Sequence, residues 1–176
     1  MKKHAMIVLA LLMTFWTGNY ASAKVNTVHP SRIEVFTFMH DAFQAQLKLS
    51  EAYHTKAETE RVLTPYFSKS YTDQFLKENV VKEAQGYISY GGDLSPYYIP
   101  YFSYNDDTKM IYDDQKHKLY VYEYFPDETD GPVKYGDHYE MITLKLYGPQ
   151  WKIVQYTFSK EKPVRSVKTF HEIKAD

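Results

Sequence analysis

The 176-residue sequence contains no cysteine. That single absence removes disulfides, thiolate metal sites and cysteine nucleophiles together. It also removes a lipid-anchored leader, because the lipid of such a leader is attached to a cysteine. Glycine is limited to seven residues, and neither a phosphate-cradling glycine loop nor a G-x-S-x-G elbow is found among them. The seven histidines include no H-E-x-x-H or other zinc spacing, so neither a metal nor a cofactor is expected. A membrane-spanning helix needs about 20 apolar residues, and the run beginning at Ala5 stops at Trp16. Charge of one sign is not in excess either. A formal net charge of −1 argues against a nucleic-acid partner.

The N-terminus carries a clear signal. Lys2 and Lys3 precede an apolar stretch from Met6 to Phe15, followed by the small residues Ala21-Ser22-Ala23. This is the layout of a secretory signal with cleavage after Ala23. The expected product is secreted, extracellular or associated with the cell envelope, with no stable membrane insertion after cleavage. Cleavage takes away two lysines and no acids, leaving 153 residues with a net charge of −3. That length suits one domain held by core packing alone. The expected organisation is a signal peptide at 1–23, a short extension at 24–30, a single α+β domain at 31–158 and a basic tail at 159–176.

Within the domain, helices come first. Ser31 and Glu34 give the S-x-x-E capping box, so a helix is expected to start there. Ile33, Phe36, His40, Phe43 and Leu47 recur at spacings of three and four, predicting one buried stripe flanked by Val35, Met39 and Ala42. A second helix is predicted over Lys56 to Leu63, ended by Pro65. A third, from Tyr71 to Ala84, is expected to bury Phe75, Leu76 and Val80 and to stop at Gly86. Four strands follow: Lys109 to Asp113, His117 to Phe125, His138 to Tyr147 and Gln150 to Phe158. Their short connections predict an antiparallel meander. The expected architecture is therefore α+β, with N-terminal helices packed on a curved, cone-like antiparallel sheet of about four strands. Phe36, Phe43, Val121, Leu144 and Trp151 are expected in its core.

Tyrosine is abundant, at 18 residues, and it concentrates between the two halves. Tyr87 to Tyr104 holds Tyr90, Tyr97, Tyr98, Tyr101 and Tyr104, broken by Gly91, Gly92, Pro96 and Pro100, with no helical or strand period. Two readings follow. One is an aromatic wall for a ligand, with Tyr97, Tyr98 and Tyr101 exposed, since tyrosine offers a flat apolar face and a hydroxyl. The other is a long lid that closes the core.

The helices ending near Pro65-Tyr66-Phe67, and a meander finishing Gly148-Pro149-Gln150-Trp151-Lys152-Ile153, resemble the nuclear-transport-factor-two-like fold, also called SnoaL-like or cystatin-like. The resemblance covers about residues 31–158. Ser95-Pro96-Tyr97-Tyr98-Ile99-Pro100-Tyr101-Phe102 and Gly131-Pro132-Val133 also resemble a family of uncharacterised secreted proteins from Bacillus-type Gram-positive bacteria. The superfamily includes both enzymes and binding modules, and its enzymes usually place an Asp and a His inside the sheet's cone; fold alone does not decide.

Strand alternation shows where such groups would sit. His138 and Glu140 continue the face of Ile142, Leu144 and Leu146, and Glu123 shares a face with Leu119, Val121 and Phe125. A carboxylate on an apolar face demands a partner. His138, Glu140 and Glu123 are thus the catalytic candidates for proton transfer if the protein is an enzyme. The alternatives are that Tyr120, Tyr122 and Tyr124 form the buried face, or that Glu123 only bonds a neighbour in the core. Asn105-Asp106-Asp107, Asp113-Asp114 and Asp127 to Gly131 are acidic turns without a calcium-loop pattern. Lys160, Lys162, Arg165 and Lys168 make a basic cluster suited to anionic polymer or to solvent.

Three functional classes remain. The favoured one is a secreted, non-catalytic binding module for a glycan, peptide or small apolar ligand, using the tyrosine loop and the concave sheet face. The second is an isomerase- or dehydratase-type enzyme. The third is an inhibitor or chaperone-like partner of another envelope protein such as a secreted wall hydrolase.

Overall fold

A computed structural model describes residues 29–91, 95–127, 135–163 and 170–172. The predicted signal segment, Gly92, Gly131-Pro132-Val133 and most of the basic tail lie outside the described residues.

The first helix, α1 (Arg32–Glu51), begins where the capping box requires. Ser31 Oγ accepts the Glu34 amide, and the Glu34 carboxylate accepts the Ser31 amide at 2.7 Å. The Ser31 amide and, after it, the Ser31 hydroxyl donate to the Glu34 carboxylate and hold it below the ordinary glutamate range. The buried stripe is rotated from the predicted one. Val35, Met39, Ala42, Ala45, Gln46 and Leu49 are buried, whereas Ile33 is 78% exposed and His40 faces solvent. The reason is that α1 has two partners. Val35, Met39, Ala42, Ala45 and Leu49 join the core cluster with the sheet's inner face, and Phe36 and Phe43 on the flank pack edge-on against Tyr104 and Tyr101, with centroids 5.3 and 5.4 Å apart.

The second helix, α2 (Lys56–Leu63), has the predicted bounds and a capping box of its own from Thr55 and Glu58. The third, α3 (Lys69–Asn79), is capped by Ser68 and ends five residues earlier than the sequence pattern suggests. A hairpin takes over, β1 (Val80–Glu83) with β2 (Gly86–Ser89). The β-branched pair Val80-Val81 favours extended backbone. Gly86 is not a helix stop but a point of close approach. It sits at φ +144°, and a Cβ there would lie 2.7 Å from the His54 carbonyl. His54 and Tyr87 exchange backbone hydrogen bonds of 2.8 Å in both directions, tying the hairpin to the start of α2.

The main sheet is the predicted meander of β3 (Lys109–Asp113), β4 (Lys118–Phe125), β5 (His138–Tyr147) and β6 (Gln150–Ser159), all antiparallel and not closed. A short strand β7 (Phe170–Glu172) adds to the free edge of β3. A bulge between Thr143 and Leu144 shifts the β5–β6 register. The helical layer is fastened to the β6 edge, where Ser68 N donates to Ile153 O and Ile153 N to Tyr66 O, both at 2.9 Å.

One face of this sheet carries Met110, Tyr112, Leu119, Val121, Ile142, Leu144 and Ile153, all at or below 1% exposure, against the helices. The architecture is thus α+β, as the order of elements implied. Val121 and Leu144 occupy the core as expected, while Phe36, Phe43 and Trp151 are half-buried at its margin.

Candidate binding site

The tyrosine segment crosses the molecule as a strap, running antiparallel to α1. Gln46, fully buried, donates from Nε2 to the Tyr97 carbonyl at 2.7 Å and accepts the Ile99 amide at 3.0 Å. Tyr71 Oη donates to the same Tyr97 carbonyl at 3.0 Å. Tyr97 (φ +67°) and Tyr104 (φ +53°) both adopt left-handed backbone, which costs a non-glycine residue on the order of 1 kcal/mol. The strap's fastenings offset that cost. Ile99 and Phe102 enter the core at 1% and 5% exposure.

The five tyrosines named from sequence divide accordingly. Tyr97 is half-buried against Tyr71, and Tyr98 is half-buried edge-on to Phe75 at 4.9 Å with its hydroxyl 2.8 Å from Ser89 Oγ. Tyr104 packs against Phe36 and Phe102, and burial pushes its phenol up to about 12. Tyr101 is 74% exposed and Tyr90 is 67% exposed. Tyr90 and Tyr53 both donate to the Glu83 carboxylate, which raises the Tyr90 phenol to about 12.

His138 and Glu140 meet on the helix side of the sheet. His138 is sandwiched between Phe125 and Phe158, with centroids at 5.5 and 4.5 Å. Its Nδ1 lies 2.7 Å from the Gly136 carbonyl. A carbonyl only accepts, so Nδ1 carries the hydrogen and Nε2 is left to face Glu140 Oε1 at 3.5 Å. Burial pushes the Glu140 carboxyl above the glutamate range, against the opposing pull of His138 and the Tyr156 hydroxyl.

Glu123 does not join this pair chemically, although it is the cross-strand partner of Glu140. Its Oε2 accepts the Ser103 amide at 2.9 Å and the Thr108 hydroxyl at 2.7 Å, anchoring the far end of the strap. Among the described residues no three acidic or histidine side chains cluster as a metal site, and no helix is long and apolar enough to cross a membrane.

A raised carboxyl pKa means that the folded state binds the proton more tightly than the unfolded chain. The stability tied to Glu140 is therefore fully present below the ordinary glutamate value near pH 4.3 and is lost as pH rises through the raised one. Glu140→Gln is expected to flatten this part of the stability–pH curve, measured by thermal melts from about pH 4 to pH 7. Parallel curves for the two proteins would show that Glu140 is not protonated more readily in the fold.

The opposite, outer face of the sheet holds a groove that sequence reasoning did not name as a site. Tyr122 and Tyr124 of β4 and Tyr139 of β5 lie on it, with Tyr139 5.3 Å from Tyr124 and 6.4 Å from Tyr122 between ring centroids. Lys109, Lys162, Asp107, Glu123 and Pro126 complete the walls of a groove of about 510 Å³. Lys162 Nζ stands 5.8 Å from the Tyr122 ring centre. Period-two alternation already put Tyr120, Tyr122 and Tyr124 on one face; what it lacked was the Tyr139 partner and the return of Lys162.

The sequence model of a family described as "Protein of unknown function (DUF3993)" matches residues 31–125. The chain belongs to the DUF3993 family. No curated protein matches it. In this DUF3993 chain the matched residues comprise the three helices, the hairpin, the strap, β3 and β4. They therefore include Gln46, Glu123, Tyr122 and Tyr124, whereas His138, Glu140, Tyr139 and Lys162 lie beyond the match.

Proposed function

We propose that this DUF3993 protein is a secreted, non-catalytic binding module that holds its ligand in the tyrosine groove on the outer face of its sheet. The observation that carries the reading is the convergence of Tyr122, Tyr124 and Tyr139 from two central strands, with two lysines and Asp107 around them. Flat aromatic faces ringed by a few polar groups are the usual make-up of a small-ligand site. The leader-like N-terminus supports secretion, and the tyrosine- and proline-rich strap supports kinship with the secreted proteins of Bacillus-type Gram-positive bacteria. Helices laid on one face of a four-stranded meander support placing the domain in the nuclear-transport-factor-two-like superfamily. Tyr90 and Tyr101, exposed on the strap side, are a second contact area within the same reading.

The test uses N-acetylglucosamine oligomers and a proline-rich peptide as probes, titrated calorimetrically. Tyr124→Ala, with Tyr139→Ala as a second variant, is expected to weaken binding by about tenfold or more, the worth of one stacked aromatic contact. Tyr124 is 46% exposed, so the melting temperature should barely move. Unchanged binding in both variants removes the groove.

The enzyme reading retains one specific observation, the 3.5 Å approach of His138 Nε2 to Glu140 among aromatic rings. That pair is built for exchanging one proton. Glu123 adds nothing to it, because its hydrogen bonds go to Ser103 of the strap and to Thr108 just before β3.

A further inference from the structure

We infer that the groove takes an acidic glycan, a sugar chain bearing carboxylate or phosphate, with Lys109 and Lys162 meeting its anionic groups. The inference rests on the groove being the binding site and goes on to name its occupant. Three features of the groove select that class.

The first is the backbone. The tyrosines stand on β4 and β5, which are paired on both sides, β4 by β3 and β5, and β5 by β4 and β6. Among the described residues, neither of these strands has a free N–H or C=O edge, so an extended peptide cannot pair with the strands that carry the tyrosines. Recognition there is by side chains alone. The second is the combination of flat rings with polar tips. Tyr124 and Tyr139 offer apolar ring faces to the CH surfaces of pyranose rings over a floor made by the buried Tyr122, and their hydroxyls serve the sugar hydroxyls. The Tyr124 hydroxyl is oriented by Asp137. A purely apolar ligand would make no use of these hydroxyls or of the two ammonium groups and would take water from them.

The third is charge. Among the described residues neither Lys109 nor Lys162 lies within ion-pair distance of a carboxylate. Lys109 Nζ donates to the Asp106 carbonyl, and Lys162 Nζ rests over the Tyr122 ring. Both side chains are exposed and free to turn toward an anion. Of the two acids in the wall, Glu123 is engaged by the Ser103 amide and the Thr108 hydroxyl. Asp137, beside the groove, is likewise engaged by the Asp127 amide and the Tyr124 hydroxyl, so Asp107, exposed, is the acid least occupied by hydrogen-bond donors.

Calorimetric titration of the secreted chain with three probes tests this: trigalacturonic acid, a sugar phosphate and the neutral maltotriose. At least one acidic probe is expected to bind about tenfold tighter than the neutral one, an advantage that shrinks as salt rises from about 0.05 to about 0.5 M. Which acidic probe wins tells whether the anion is carboxylate or phosphate. The double variant K109A/K162A should fall to the neutral level with an unchanged melting temperature, and D107N should tighten binding about twofold to fivefold. Equal binding of maltotriose, or acidic binding indifferent to salt and to both lysines, overturns the charge assignment while leaving the groove as the site. Failure of the wild type to bind any of the three overturns both.

Discussion

Gln46→Leu is expected to destabilise the protein by about 3 kcal/mol, lowering its melting temperature by roughly 6–12 °C for a domain of this size. Leucine fills most of the space and keeps the helix, so the loss isolates the amide. Gln46 is fully buried and uses both ends of that amide on the strap, donating to Tyr97 O and accepting from Ile99 N. Removing it leaves the Ile99 amide buried without a partner, at about 1–3 kcal/mol. The Tyr97 carbonyl keeps its bond from Tyr71 Oη, so its share of the cost is smaller. Urea denaturation reads the outcome as a shift in midpoint at constant slope. A change below about 1 kcal/mol, the range of ordinary surface substitutions, would show that the strap is not held by Gln46.

Phe75→Ala is expected to cost about 3–5 kcal/mol, which approaches the whole stability of many small domains. Phe75 is 1% exposed on α3, and its ring lies edge-on to Tyr98 at 4.9 Å. Truncation therefore opens a cavity and also loses an aromatic pair worth about 0.5–1.5 kcal/mol. The informative control is Tyr101→Ala. Tyr101 belongs to the same strap but is 74% exposed, so its loss should cost under about 1 kcal/mol. A melt that ranks the two variants in the opposite order would mean that the strap packs through Tyr101 rather than through Tyr98.

The elements that local chemistry specifies were readable in the sequence. The α1 start follows from Ser31 and Glu34, and the β3 to β6 meander from β-branched and aromatic runs separated by turn residues. The hairpin Val80–Ser89 was not readable as such, because Phe75, Leu76 and Val80 keep a helical spacing across the point where α3 ends. Its deciding contact is Gly86 against the His54 carbonyl, a meeting of residues 32 positions apart. The rotated stripe of α1 has the same origin, since which flank of a helix counts as inside depends on two partners. A signal for Gln46 did exist. It lies three residues before Leu49 and four after Ala42 on the face that turned out to be central, and a glutamine in such company must satisfy its amide.

The site residues divide along the same line. Glu123 stood out as a carboxylate between Val121 and Phe125, but its partners Ser103 and Thr108 come from another segment of the chain. The meeting of His138 and Glu140 needed only strand alternation and was legible. The groove required Lys162 to come back over Tyr122, which no local pattern encodes.

Sheet pairing is made by main-chain groups that almost every residue carries, so a strand tolerates much change in its side chains. The strap from Pro96 to Tyr104 is attached in another way. Among the described residues it makes no ladder with either sheet, and its ties run through Gln46, Tyr71, Ser89, Asn79 and Glu123. Its hold is consequently written in residue identity rather than in backbone geometry. Single-codon changes can slacken or tighten this one segment while the meander beneath it is inherited intact, which makes the strap the part of the molecule most open to gradual variation.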